Sequence, residues 1–321
     1  MSNTTTTTTT TTIDTLLLKC QPPTWGYEPT VFQVFGYSLS LLAVVTIVTN
    51  LVAMICIYRA PKLKTFTRLF LFSLAVCDFL VGAVVMPFRI FGMVTRSFDS
   101  LGHTFCYIGN SVDVLLCSSS MFHITILAFD RCLALCKPFR HGYICSPAKG
   151  KSVFILSWLI SAVISFGFIL AKLHVKGIEA IYNCVLYVTG SCQLVSNVPY
   201  AIMTTAVTFG LPSLFTIVCN QFTTRAIEKR RKIFDRLVNI NTRKGSLNRR
   251  HIGTKLARTI LLMSLSFLAC WSPFFVIHIT DPLTNYRVPQ YVWTLVTWTG
   301  YANSLLNPIL YLKATSFIMF R

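Results

Sequence analysis

Charge is scarce in this 321-residue chain, and acid is scarcest: 12% of residues are charged, with 10 Asp and Glu against 29 Lys and Arg. A soluble domain carries about a quarter charged residues. The deficit, with 54% hydrophobic residues, excludes a water-exposed globule and points to a bilayer. Chemical motifs are scarce as well. No nucleophile–base or metal-ligand spacing occurs in the apolar runs, which argues against an enzyme. Cys132 and Cys136 stand four apart, but no His or carboxylate joins them to make a metal site. No internal repeat of broken helices is visible, which argues against a transporter. The first residues are neither basic nor apolar, so no cleavable signal peptide is expected and the first apolar run serves as its own insertion signal. Low complexity is confined to Thr4–Thr12, expected to be disordered, with a glycosylation acceptor pattern at Asn3-Thr4-Thr5.

Long apolar runs are what the chain has in abundance. Crossing ~30 Å of hydrocarbon takes ~20 mostly apolar residues. Runs of that length lie at about Val31–Tyr58, Leu69–Val94, Phe105–Leu135, Val153–Ala171, Val198–Cys219, Thr259–Ile279 and Tyr291–Leu312. In lipid only helices or closed barrels satisfy the backbone, and barrel strands would be shorter and alternating. The expected fold is therefore an all-α seven-helix membrane bundle over residues 31–312, between an N-terminal tail of residues 1–30 and a short tail of residues 313–321.

The net charge of +19 would suit nucleic acid, but its location excludes that partner. Arg59, Lys62, Lys64 and Arg68 lie between the first two runs, and Lys137, Arg140, Lys149 and Lys151 between the third and fourth. The richest set, from Arg225 through Lys229, Arg230, Arg231 and Lys232 to Arg250, lies between the fifth and sixth, in a third cytoplasmic loop of about residues 222–254. Basic loops face the cytoplasm, so the N-terminus is expected outside. Most of these charges set topology, and a few near the fifth and sixth helix ends would meet a partner or anionic lipid. Cys20, Cys106, Cys184 and Cys192 then fall on the oxidising side. Four cysteines allow three pairings. Cys106–Cys192 would pin the loop before the fifth helix over the bundle mouth, and Cys20–Cys184 would then tie down the N-terminal arm. The remaining eight are expected to be free.

Ionisable groups inside a membrane are costly and mark function. Asp78 stands in the second run and Asp113 in the third, about two turns inward from Cys106. Arg131 follows Asp113 by 18 residues, five full turns at ~3.6 residues each, so one helix face carries an anion near the outside and a cation near the inside. That arrangement suits sensing at one end and reporting at the other. Trp271, Phe274 and Phe275 on the sixth helix, with Trp298 and Tyr301 on the seventh, would offer π faces to a cation. Tyr301 would also hydrogen-bond the carboxylate. Thr204, Thr205 and Thr208 add hydroxyls on the fifth helix. An ammonium, an aromatic body and a polar far end would satisfy such a pocket.

Taken in order, the motifs resemble those of class A (rhodopsin-like) G-protein-coupled receptors over nearly the whole length. They are Thr49-Asn50, the run Leu74 to Asp78, Asp130-Arg131-Cys132, Trp158, Pro212, the run Cys270 to Phe275, and Asn307-Pro308-Ile309-Leu310-Tyr311. Asp113 with the run Trp298 to Ser304 resembles the biogenic-amine branch. The runs Asp78 to Gly82, Met86 to Phe88, Ser119 to His123 and Lys176 to Glu179 are most similar to trace amine-associated receptors, a subgroup that the pair Cys20 and Cys184 also fits. The nearest alternative is a serotonin-type or other neuromodulatory amine receptor. An opsin is disfavoured because Tyr301 stands where the retinal lysine would be.

The resemblance implies a small protonated amine as ligand and a heterotrimeric G protein, of the stimulatory Gs or Golf type with a rise in cAMP, as partner. It implies a multi-pass protein of the plasma membrane, with a chemosensory role in the cilia of sensory neurons. The implied ligand site comprises Asp113, Val114, Cys117, Thr204, Thr205, Thr208, Trp271, Phe274, Phe275, His278, Thr297, Trp298 and Tyr301. Asp78, Ser120, Asn303, Ser304 and Asn307 match a sodium-binding cluster, an allosteric ion being the one cofactor implied. Phe267, Trp271, Asp130, Arg131, Pro308 and Tyr311 match the activation switch.

Several residues depart from the family pattern. Cys132 replaces a tyrosine after Arg131, Asn220 stands where the fifth helix brings a tyrosine toward Arg131, and Gly253 replaces an acid that locks it. The resting lock is therefore expected to be weak. The chain ends at Arg321, with little room for an eighth helix. The threonines of the fifth helix argue for a monoamine, although Asp281 and Glu179 would meet the far end of a diamine. Arg89, near the outer end of the second helix, is expected to snorkel to the headgroups.

Overall fold

The computed structural model describes residues 29–60, 63–95, 102–183, 192, 194–237 and 244–319. Asn3, the threonine tract, Cys20 and Cys184 lie outside these residues, and with them the glycosylation and second-disulfide expectations.

Among the described residues, seven long helices form the bundle. The first is Pro29–Tyr58, the third Gly102–Cys136, the sixth Lys244–Leu283 and the seventh Gln290–Met319. The second runs through Thr65–Leu80, Val81–Val85 and Met86–Thr95, the fourth through Pro147–Ala162, Val163–Gly167 and Phe168–Leu170, and the fifth through Val198–Thr205, Ala206–Gly210 and Leu211–Leu237. In each of these three the middle segment is a π turn, which widens the helix locally and rotates the segment beyond it. Helix starts obey the local sequence. Asn197 Oδ1 accepts from Tyr200 N at 3.0 Å, and Pro199 occupies the first turn, where a missing N–H costs nothing. Ser146 and Pro147 open the fourth helix in the same way.

Six of these helices are long and apolar enough to cross a membrane, and the seventh packs against the sixth and the first to complete the ring. The third helix runs through the middle, touching the second, fourth, fifth and sixth. Large apolar side chains such as Leu41, Val48, Leu159, Leu211, Leu265, Val276 and Leu295 stay exposed on the perimeter. Lipid stabilises such a surface and water would not. Inside, Phe70, Leu74, Met121, Leu127, Phe267, Trp271, Tyr301 and Tyr311 pack into one continuous core.

The apolar runs mark the membrane portions but not the helix ends. The fifth helix continues to Leu237 and the sixth begins at Lys244, so most of the segment expected as a third cytoplasmic loop is helical. Lys, Arg and Glu are good helix formers once outside the bilayer, and hydropathy does not register such an extension. Likewise the seventh helix passes the expected boundary at Leu312 and reaches Met319. A short helix, Pro138–Ile144, links the third and fourth. The expected disulfide forms between Cys106 at the head of the third helix and Cys192, with Cα atoms 5.6 Å apart. The eight cysteines expected to be free are free.

Candidate functional site

The outer half of the bundle brings Asp113 together with Tyr301 and also with Arg89, which sequence reasoning directs outward to the headgroups. Asp113 is 8% exposed. Tyr301 Oη donates to its Oδ2 at 2.5 Å, and Cys117 Sγ donates to Oδ1 at 3.3 Å from one turn below. Arg89 Nη2 donates to the same Oδ2 at 2.6 Å, and the two side chains form an ion pair with 18% and 11% exposure. Arg89 does not snorkel. Its Nη1 donates to the Cys192 carbonyl at 2.8 Å, its Nη2 also to Asn110 Oδ1 at 2.9 Å, and its Nε to Tyr301 Oη at 3.3 Å. The physical reason is competition. A guanidinium at the bundle mouth can reach headgroups or a buried carboxylate, and here four acceptors on the third and seventh helices and the pinned loop surround it. The π turn at Val81–Val85 sets the rotation of the outer part of the second helix, which the hydrophobic periodicity alone does not reveal.

The aromatic residues of the sixth and seventh helices pack against one another and against Tyr301. Trp271 meets Phe274 at 5.5 Å, Phe275 at 6.2 Å and Tyr301 at 6.1 Å between ring centroids, and Trp298 meets Tyr301 at 5.5 Å edge-on. Gly300 permits this close approach, since a Cβ there would lie 2.9 Å from the Trp271 ring. His278 stacks on Phe274 at 5.7 Å and stands 3.3 Å from Thr204 Oγ1. Thr204 and Thr208 donate their hydroxyl hydrogens to Tyr200 O and Thr204 O, each at 2.7 Å. They therefore face the interior as acceptors, while Thr205 Oγ1 is buried with no partner among the described residues. Val114 packs in the outer cluster with Cys106, Tyr107 and Cys192, and Thr297 is half-buried beside Trp298.

Several contributors lie outside the set expected from sequence. Phe209 stacks on Phe275 at 4.4 Å. Trp293 packs on Phe274 and His278, and its Nε1 donates to Asp281 Oδ2 at 3.0 Å. Asp281 also accepts from Val288 N at 2.9 Å, so this carboxylate holds the turn between the sixth and seventh helices. Glu179 is exposed and accepts from Gly177 N at 2.9 Å, a bond that lowers its pKa. Both acids considered for a diamine thus accept local hydrogen bonds. Asn110 lies one turn inward from Cys106, and that spacing is the one sequence signal that points to it.

Midway down, the residues that match a sodium-binding cluster lie buried, some of them hydrogen-bonded to one another. Asp78, Ser120, Asn303, Ser304 and Asn307 are all buried. Asn307 Nδ2 donates to Asp78 Oδ2 at 2.9 Å, and Asn50 Nδ2 donates to Ser304 O at 2.9 Å. Ser120 Oγ, Asn303 Oδ1 and Asn307 Oδ1 have no partner among the described residues. A carboxylate with unpaired neutral oxygens suits a hard cation.

At the inner end Arg131 is held by neighbours on the second and third helices, while Asn220 and Gly253 offer it neither a tyrosine nor an acid. It pairs with Asp130, and its Nη2 donates to Thr67 Oγ1 at 2.7 Å. Thr67 Oγ1 in turn donates to Asp130 Oδ2 at 2.8 Å. His141, on the short linking helix, lies with Nε2 2.7 Å from Asp130 Oδ1, while Lys64 Nζ is 3.1 Å from its Nδ1. Lysine can only donate, which leaves Nε2 as the donor to Asp130. Gly253 supplies no side chain, but Leu135, Ile227 and Ala257 close the inner ends of the third, fifth and sixth helices. Arg131 is thus restrained locally, by Asp130 and Thr67. Phe267 meets Trp271 at 6.1 Å, Pro308 lies within the seventh helix, and Tyr311 is fully buried.

Comparison with known proteins agrees with this layout. The family described as 7 transmembrane receptor (rhodopsin family) matches residues 49–311. The chain is 32% identical to trace amine-associated receptor 1 of Mus musculus over 277 residues, covering 86% of this chain and 83% of that protein. It is 32% identical to trace amine-associated receptor 13c of Danio rerio over 273 residues, covering 83% and 78%. It is also 32% identical to 5-hydroxytryptamine receptor 4 of Cavia porcellus over 292 residues, covering 85% and 74%.

Proposed function

The chain belongs to the rhodopsin family of seven-transmembrane receptors, in its aminergic branch and most like the trace amine-associated receptors, and from that premise we propose that Asp113 receives the ammonium of a small ligand. The observation that carries this reading is the buried Asp113 carboxylate bonded by Tyr301, whose ring in turn meets those of Trp271 and Trp298. Charge-assisted hydrogen bonds out of water are the strong ones, and π faces add to the attraction. The ammonium takes Asp113 from Arg89, so binding begins as an exchange of cations.

Ligand contacts that improve when the sixth helix moves shift the population; equal affinity for both forms shifts nothing. Tyr301, Trp271 and Phe267 form the packed route inward. Outward movement of the sixth helix separates Ala257 from Leu135 and exposes Arg131, freed from Asp130 and Thr67, to a G protein. A stimulatory partner of the Gs or Golf type, a cAMP rise and a chemosensory role in sensory cilia complete this reading. Asp78, Ser120, Asn303, Ser304 and Asn307 would hold a sodium ion that favours the resting form. A serotonin-type ligand is the second reading, favoured by the similarity to 5-hydroxytryptamine receptor 4.

The test is a second-messenger screen of ammonium-bearing ligands on the receptor, Asp113→Asn and Asp113→Glu, with surface expression measured alongside. Loss of all responses in Asp113→Asn at normal surface level supports the reading. Unchanged potency in that variant overturns it.

A further inference from the structure

Resting on the assignment of Asp113 to the ligand ammonium, we propose that the ligand is a zwitterion, an α-amino acid with an aromatic side chain, whose carboxylate is bound by Arg89. The observation is the buried pair itself. Arg89 and Asp113 neutralise each other at 2.6 Å inside the site that an ammonium must enter. A simple amine that takes Asp113 leaves the guanidinium without a counter-charge in a largely desolvated place, and breaking a buried pair from one side is the costly way to break it. A simple anion that takes Arg89 strands Asp113 in the same way.

No spare acid stands ready for Arg89 among the described residues. Asp281 is bonded to Val288 and Trp293, Asp78 to Asn307, and Glu179 to Gly177. The Cys192 carbonyl, Asn110 Oδ1 and Tyr301 Oη accept from Arg89 but carry no charge. A molecule bearing both charges restores both partners at once. An α-amino acid carries its ammonium and carboxylate on one carbon, so it can insert between Nη2 and Oδ2 with a modest swing of the long Arg89 arm. The planar guanidinium fork suits a carboxylate. From the same carbon the side chain projects toward Trp271, Phe274 and Phe275, where an aromatic ring packs best. Arg89 thereby sets specificity: it penalises amines and rewards their carboxylated counterparts.

The experiment compares phenylalanine, tyrosine and tryptophan with phenethylamine, tyramine and tryptamine. Readouts are second-messenger response in cells and thermal stabilisation of the purified, detergent-solubilised receptor, which reports binding whatever the coupling. For the wild type the amino acids are expected to act at concentrations about tenfold or more below those of the matched amines. In Arg89→Gln the order is expected to reverse, while Arg89→Lys keeps part of the amino-acid preference. Amines matching or exceeding amino acids in the wild type, with responses abolished in Asp113→Asn, overturn the zwitterion and leave the ammonium assignment standing. Responses that survive in Asp113→Asn overturn both. Silence of the wild type and of Arg89→Gln toward all six compounds, in cells and in thermal shift, overturns the zwitterion proposal as well.

Discussion

Arg89 on the second helix and Asp113 on the third are joined Nη2 to Oδ2 at 2.6 Å, with Tyr301 Oη donating to the same oxygen. The carboxylate that would greet a ligand already has a cation of the protein's own. Any ligand therefore competes with an intramolecular partner, and the outer ends of the second, third and seventh helices are linked through one oxygen atom.

That linkage predicts a double-mutant cycle. Asp113→Asn leaves Arg89 unpaired and should lower stability by about 3–5 kcal/mol, and Arg89→Gln should cost a similar amount. Combining them should cost far less than the sum, because no buried charge is then left alone. Heating the solubilised receptor and measuring the folded fraction by size-exclusion checks this. Additive losses would show that the two charges do not depend on each other.

At the inner end, His141→Ala removes the donor to Asp130 Oδ1, which lies 2.7 Å away. A hydrogen bond to a charged group contributes about 1.5–3 kcal/mol. Its loss should loosen Asp130 from Arg131 and raise agonist-free signalling several-fold, as should Thr67→Ala. Basal second-messenger level per surface receptor is the measurement. Wild-type basal levels in both variants would mean that Arg131 is restrained elsewhere.

Gly300→Ala places a methyl group 2.9 Å from the Trp271 ring. Overpacking of this kind costs about 1–3 kcal/mol. Because Trp271 also touches Phe267, Phe274 and Tyr301, the variant should shift basal activity as well as lower the melting temperature. A melting loss with no change in basal or ligand-driven signalling would remove Trp271 from the proposed route.

His174 lies in the outer segment after the fourth helix, buried among Tyr107, Tyr182 and Tyr200, with neither ring nitrogen bonded to a described residue. Burial pushes its pKa down to about 4. The unfolded chain takes up this proton near pH ~6.5, the folded chain only near 4. Stability is therefore unaffected above ~6.5 and falls as the medium is acidified toward 4, by on the order of 3 kcal/mol in full. His174→Phe should flatten that part of the melting-temperature profile. Parallel profiles for wild type and variant would contradict a buried neutral imidazole.

The oxygen cluster at Asp78 predicts a salt-specific effect. Sodium chloride should raise the melting temperature more than an equal concentration of choline chloride, and Asp78→Asn should abolish the difference. Equal effects of the two salts would leave the cluster as a buried polar network.

Much of this molecule is legible in its sequence because bilayer physics leaves few choices. A run of about twenty apolar residues must be a helix, so seven runs specify seven helices. The aspartate and arginine of the third helix lie on one face by periodicity, and the Cys106–Cys192 bridge is among the three pairings open to four cysteines on one side. Helix lengths beyond the bilayer were not legible, because Lys- and Arg-rich extensions to Leu237 and from Lys244 look like loop by hydropathy. The destination of Arg89 was not legible either. Its direction depends on the π turn at Val81–Val85, on a carbonyl carried to it by a disulfide, and on acceptors from two other helices. His141 likewise reaches Asp130 only because the short linking helix folds back beneath the bundle. Local sequence decides which residues enter the membrane and on which helix face they start. Which charge meets which is a contest among partners brought together from distant segments, and only the folded bundle resolved it, giving Asp113 to Arg89.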